Sequence, residues 1–207
     1  MIIKTEISKG GRLALYADGE YIMSIDADIW YSLDYTNGCE IDNDELDALK
    51  DLVNARLAYS QALRFLTLRS HSEKELYNKL LKKHSHISAR YAIEKCRELG
   101  FLDDADFASC YAKELAERKK YGATRIRQEL NLKGIDREII DDVINSLEVD
   151  YSVSIIDVIQ KKYSNCLNDE KGKRRMIAGL MRLGFSYSDI KSALSDYELP
   201  EDSENEY

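Results

Sequence analysis

Proline is nearly missing: the 207 residues contain one, Pro200. With so few helix breakers, long helical stretches run without interruption. Cysteine is sparse and scattered. Cys39, Cys96, Cys110 and Cys166 show no paired spacing, which excludes a disulfide scaffold or a zinc framework and fits a reducing cytoplasm. No apolar run approaches membrane-spanning length, and Met1 to Gly11 lacks the apolar core of a signal peptide. A cytoplasmic protein without a membrane segment is expected.

Catalytic signatures are also missing. Gly172-Lys173-Arg174 has neither the earlier glycine nor the hydroxyl of a phosphate-binding loop, and no His-Glu-x-x-His or Cys-x-x-Cys occurs. Asp103, Asp104 and Asp106 stand at a helix start, where capping and the helix dipole account for them. His71, His84 and His86 read as surface or turn residues rather than ligands or bases. No cofactor, metal or enzymatic activity is therefore expected.

What is present is repetition. Ser72, Gly122 and Gly172 open three segments spaced by 50 residues. Leu76, Ile126 and Met176 form one apolar column, and Leu80, Leu130 and Leu180 a second, four residues on. That spacing places both columns on one face of a short helix. His84, Gly134 and Gly184 close the three helices, and the glycines suit a left-handed helix end. A further apolar-periodic helix follows each: Ala92, Ile93, Cys96 and Leu99; Ile139, Ile140, Val143, Ile144 and Leu147; Ile190, Ala193, Leu194 and Tyr197. A longer amphipathic helix precedes each pair, giving three helices per unit. A fixed period in this range marks a repeat architecture.

Before the repeats, Ile2 to Ser8, Arg12 to Ala17 and Tyr21 to Ile25 read as strands, joined by Gly10-Gly11 and by Asp18-Gly19. Three strands are marginal alone, so this meander should pack on the helix that follows. Asp42-Asn43-Asp44-Glu45 signals that helix's start, and Ser72-x-x-Glu75 is a capping box for the next. The predicted fold is mainly α: three tandem three-helix repeats in an elongated array behind a small N-terminal antiparallel β-meander. The boundaries are 1–41 for the meander, 42–100, 101–148 and 149–197 for the repeats, and 198–207 for a disordered acidic tail.

The net charge of −8 conceals a division. Residues 1–55 carry 4 basic and 12 acidic side chains, and residues 196–207 carry 6 acidic and no basic ones. Residues 56–195 hold 26 basic and 20 acidic side chains, a balance of +6. Lys79, Lys82, Lys83, Arg125, Arg127, Lys133, Lys173, Arg174 and Arg182 recur around the second helix of each unit. Stacked units would align them into a stripe that could track a phosphate backbone or meet an acidic protein groove; the alternative is a solvated outer face.

Residues 58–147 resemble the RecX family of bacterial recombination regulators. The carriers are Ala62 to Leu76 (Ala-Leu-Arg-Phe-Leu-Thr-Leu-Arg-Ser-His-Ser-Glu-Lys-Glu-Leu), Gly100-Phe101-Leu102-Asp103-Asp104-Ala105-Asp106-Phe107-Ala108, and Gly122 to Gly134. Repeat three matches more loosely, and only some members share the meander. The resemblance implies a monomeric modulator of RecA that lies in the groove of RecA–single-stranded DNA filaments and suppresses ATP hydrolysis, strand exchange and coprotease activity in recombinational repair and the SOS response. The alternative is a general nucleic-acid-binding helical-repeat module. The acidic ends imply weak direct DNA binding, and His84 departs from the glycine expected at the first closure. On charge and placement, Arg69, Lys83, Arg125, Arg127 and Lys133 are the expected partner-binding residues. Arg125 and Arg127 lie about 200° apart on a helix, so only one can face a given partner.

Overall fold

The computed structural model describes residues 1–8, 11–164 and 169–196. The Gly10-Gly11 turn falls partly outside these residues, as does the 165–171 loop. Cys166, Tyr197 and the acidic 198–207 segment lie wholly outside. The chain forms two compact units, Met1–Leu102 and Asp103–Tyr207.

In the first unit, β1 (Ile3–Ile7), β2 (Arg12–Ala17) and β3 (Glu20–Asp26) form an antiparallel sheet in the order β1-β2-β3, as the strand pattern predicts. Asp18 and Gly19, at φ 49° and 87°, make the tight turn between β2 and β3. The outer edge of β1 is covered: Ile3 N–H donates to Cys39 O at 3.0 Å, and Gly38 N–H donates to Ile3 O at 2.7 Å. Covering that edge removes a row of unpaired backbone groups. Leu13, Leu15 and Ala17 project from the central strand into a core shared with Ile25 and with Trp30 of α1 (Ala27–Tyr31).

Helix α2 (Asn43–Leu68) begins with a reciprocal capping box between Asp42 and Glu45 and serves two cores. Its first half presents Leu46, Leu49 and Val53 to the sheet. Its second half presents Ala58 and Ala62 to Leu76 and Leu80 of α3 (Glu73–Leu80) and to Ala92, Ile93 and Cys96 of α4 (His86–Glu98). Ser72 caps α3 through its side chain, which accepts from Glu75 N–H at 3.2 Å. Leu99, expected in the apolar run, is instead 50% exposed, because α4 ends there and Gly100 at φ 72° turns the chain away.

The second unit repeats the pattern twice. Helix α5 (Asp104–Lys119) is capped by Asp103, α6 (Ala123–Leu132) follows, and α7 (Arg137–Ser146) is capped by Asp136. Then come α8 (Tyr151–Lys162), α9 (Glu170–Arg182) and α10 (Tyr187–Asp196). The six column residues are all 0–1% exposed, which bears out the repeat alignment. Gly134 and Gly184 take φ 83° and 93°. At each, the next residue donates back to the helix, Ile135 to Leu130 O at 3.2 Å and Phe185 to Leu180 O at 3.3 Å, so both closures use a left-handed glycine. One column needs correction. Gly172 does not open its helix as Ser72 and Gly122 do; Asp169 caps α9 earlier, its carboxylate accepting from Gly172 N–H, because a carboxylate caps far better than a glycine.

Repeats two and three are joined backbone to backbone. Gly122, the N-cap of α6, supplies no side-chain cap. The turn of repeat three fills the role: Gly122 N–H donates to Leu183 O at 2.9 Å, and Thr124 N–H donates to Gly184 O at 3.2 Å. A Cβ on Gly122 would lie 2.4 Å from the Gly184 carbonyl carbon, and one on Gly184 would lie 2.3 Å from the Arg125 nitrogen. These two glycines allow the approach that satisfies the helix end.

Candidate functional site

The five expected residues sit in different settings. Arg69, at the end of α2, holds Glu75 through two contacts, at 2.5 and 3.3 Å, and donates to Ser70 O. Lys83 lies on the turn after α3, exposed, at the rim of a cleft of about 460 Å³. Arg64, Phe65, Leu68 and His84 line the same cleft, with Arg12 and Asp26 on the sheet side. Arg125 on α6 pairs with Glu129 one turn on, at 2.6 Å, and stacks over the Tyr121 ring. Arg127 reaches across to Asp141 on α7, a carboxylate that Arg137 also approaches at 3.9 Å. Lys133 lies over the Tyr111 ring at 5.4 Å. Arg125 and Arg127 thus turn to different neighbours, as their spacing requires.

His71 lies in the turn between α2 and α3 as expected, but not at the surface: it is 3% exposed, packed near Phe65. Its Nδ1 lies 2.9 Å from Arg69 O and its Nε2 lies 2.7 Å from Lys79 Nζ. A ring flanked by a carbonyl and an ammonium is satisfied only when neutral, donating from Nδ1 and accepting at Nε2. Burial lowers its pKa, and the charges of Arg69 and Lys79 add to the effect. His84, half-buried, contacts Gln61 Oε1 at 2.7 Å, and burial followed by the Lys83 charge lowers its pKa. Its backbone is not left-handed; its N–H donates to Leu80 O, so repeat one closes by a continued helical turn.

The cations of α9 are arranged differently. Lys171, Arg174, Arg175 and Arg182 are exposed and make no ion pair among the described residues; Lys173 is drawn to Glu170 at 3.9 Å. At about 100° per residue the four fall within one face of the helix, around Ala178 and opposite buried Met176 and Leu180. The charge list from sequence includes Arg174 and Arg182 but misses Arg175 and Lys171. Helical phase from the buried column Met176 and Leu180 was the signal that could have found them.

The described residues hold no grouping of three metal-binding side chains. Asp103 is engaged as the α5 cap, accepting from Ala105 and Asp106 N–H. Burial pushes the Cys96 thiol up to about 11, far from a reactive thiolate. No described helix is long and apolar enough to cross a membrane.

Comparison with known proteins identifies the repeats. Family models for the first, second and third three-helix domains of RecX match residues 58–96, 103–144 and 151–194. The regulatory protein RecX of Clostridium acetobutylicum is 30% identical over 94% of this chain and 94% of its own length. The one from Clostridium tetani is 29% identical over 94% and 93%. The chain belongs to the RecX family. The third repeat, expected to match loosely, is matched along with the other two. A crystal structure of a regulatory protein RecX shares the fold, with a TM-score of 0.74 at 24% identity over 94% of this chain and 98% of that one. The RecX of Lactobacillus salivarius gives 0.62 at 22% identity over 69% and 96%. In RecX terms, Gly100 to Asp106 is structural: Leu102 is buried, Asp103 caps α5, and only Phe101 of that apolar pair is exposed.

Proposed function

We propose that this RecX-family protein is a non-enzymatic cytoplasmic regulator that binds RecA on single-stranded DNA and restrains its ATPase, strand exchange and coprotease activity. The observation that carries the reading is the run of three RecX domains in family order. A chain of repeats offers several similar surfaces in series, which suits a partner that is itself a repeating filament. Inhibition by occupancy needs no reactive centre. Arg69, Lys83, Arg125, Arg127 and Lys133 are the proposed RecA contacts. Lys83 leads them, since it makes no ion pair among the described residues and stands at the rim of a cleft. Purified monomer added to cognate RecA on single-stranded DNA should lower ATP hydrolysis at or below one molecule per RecA. Unchanged hydrolysis across that range, with the protein folded, would rule the reading out.

A further inference from the structure

We propose that the exposed face of α9 binds the sugar–phosphate backbone of nucleic acid directly, without RecA. Lys171, Arg174, Arg175 and Arg182 span twelve residues, about 16 Å of helix at 1.5 Å per residue. The one acid of α9, Glu170, stands at the edge of that face and is drawn to Lys173 at 3.9 Å. Ala178 lies at its centre and leaves the backbone open to close approach. Three of the four cations are arginines, whose forked donors match phosphate oxygens in pairs. A protein interface would be expected to carry aromatic anchors and few charges at its centre. This face has the opposite composition, with only Met181, 52% exposed, at its flank. The face is particular to α9. The aligned positions are Tyr121, Thr124, Arg125 and Leu132 in and before α6, and His71, Lys74, Glu75 and Lys82 in and around α3.

The proposal does not depend on the RecA reading, and its test omits RecA. Fluorescence anisotropy of the full chain with labelled single-stranded and duplex oligonucleotides should be followed from about 50 to 200 mM salt. Four phosphates neutralised give slopes of log affinity against log salt near −2.8 for single strands and −3.6 for duplex. The Arg174→Gln/Arg175→Gln/Arg182→Gln variant should keep the wild-type melting temperature. On single strands its slope should become shallower by about 2, with binding weaker by about tenfold or more at 50 mM salt. Arg118→Gln, which removes an exposed cation of α5 paired to Glu114, should bind as the wild type. Loss confined to the triple variant, on either DNA or both, supports the proposal. Three results overturn it: unchanged binding by the triple variant, equal weakening by Arg118→Gln, or folded wild type that binds neither DNA at about 50 mM salt, whether or not it binds polyglutamate.

Discussion

Repeats two and three share their buried columns and glycine closures, yet they treat the arginines of their second helices in opposite ways. In repeat two, Arg125 has Glu129 one turn later and Tyr121 beneath it, and Arg127 has Asp141 across the helix pair. Fifty residues on, the position of Glu129 is Gly179, that of Tyr121 is Lys171, and that of Asp141 is Lys191. The partners are gone while the arginine in the column of Arg125 persists as Arg175. Gly179 has its own packing reason: a Cβ there would fall 2.0 Å from the Tyr163 hydroxyl oxygen, so the helix admits that ring only as glycine. A core requirement in repeat three thus removes an acid from the surface, and the neighbouring cation is left exposed. The same scaffold carries paired arginines on the second helix of one copy and open ones on that of the next.

If the columns are equivalent, they should fail equivalently. Leu130→Ala and Leu180→Ala should each cost about 2–5 kcal/mol in chemical denaturation, from lost burial and the residual cavity. Wild-type stability for either would break the alignment on which the comparison rests. Gly184→Ala tests the joint between the copies. It forces a Cβ against the Arg125 backbone at φ 93°, and overpacking of that kind costs about 1–3 kcal/mol. An alanine tolerated there without loss would mean that α6 is not held by the turn of repeat three.

Repeat one alone holds the chain's three histidines, His71, His84 and His86, and pH should single it out. The folded-state pKa of His71 lies below its ordinary value, because burial and the nearby cations disfavour the charged ring. Below about pH 6.5 the unfolded chain therefore takes up a proton that the folded chain resists. Its contribution is full above that pH and is lost as the pH falls from about 6.5 toward the depressed folded value. Melting curves from about pH 7.5 to 5.5 should show this decline, and His71→Gln should flatten it. A decline of the same size in the variant would assign it to other groups, His84 among them.

The smallest effects sharpen the contrast in surface charge. Arg127→Ala should cost under about 1 kcal/mol, since the Asp141 pair is partly open to solvent, and the cost should shrink in salt. Arg175→Ala should change stability by no more than about 0.5 kcal/mol, as expected for an exposed side chain without an ion pair among the described residues. Ala178→Glu would supply an acid four residues from both Arg174 and Arg182. It should leave the melting temperature nearly unchanged and weaken binding to single-stranded DNA. Undiminished DNA binding by that variant would show that open charge on α9 has no role in it.

Much of this was legible in the sequence. The strand pattern, the Asp18-Gly19 turn, the capping residues Asp42, Ser72, Asp103 and Asp136, and the two buried columns depend on local spacing and backbone preference, which a linear chain states directly. The resemblance to RecX rested on motifs of the same local kind. Tertiary structure decided the rest. Sequence marked Gly122 and Gly184 as a helix start and a helix stop, but their mutual approach joins residues 62 apart. His71 is the turn residue that sequence suggested, but its burial and its contact with Lys79 arise only when α3 folds back on the end of α2. Which arginines are neutralised likewise depends on which carboxylate the packing of α7 against α6 brings within reach. Charge can be counted along a chain, but whether a charge is open or answered is fixed by distances of a few ångströms that only the folded backbone sets.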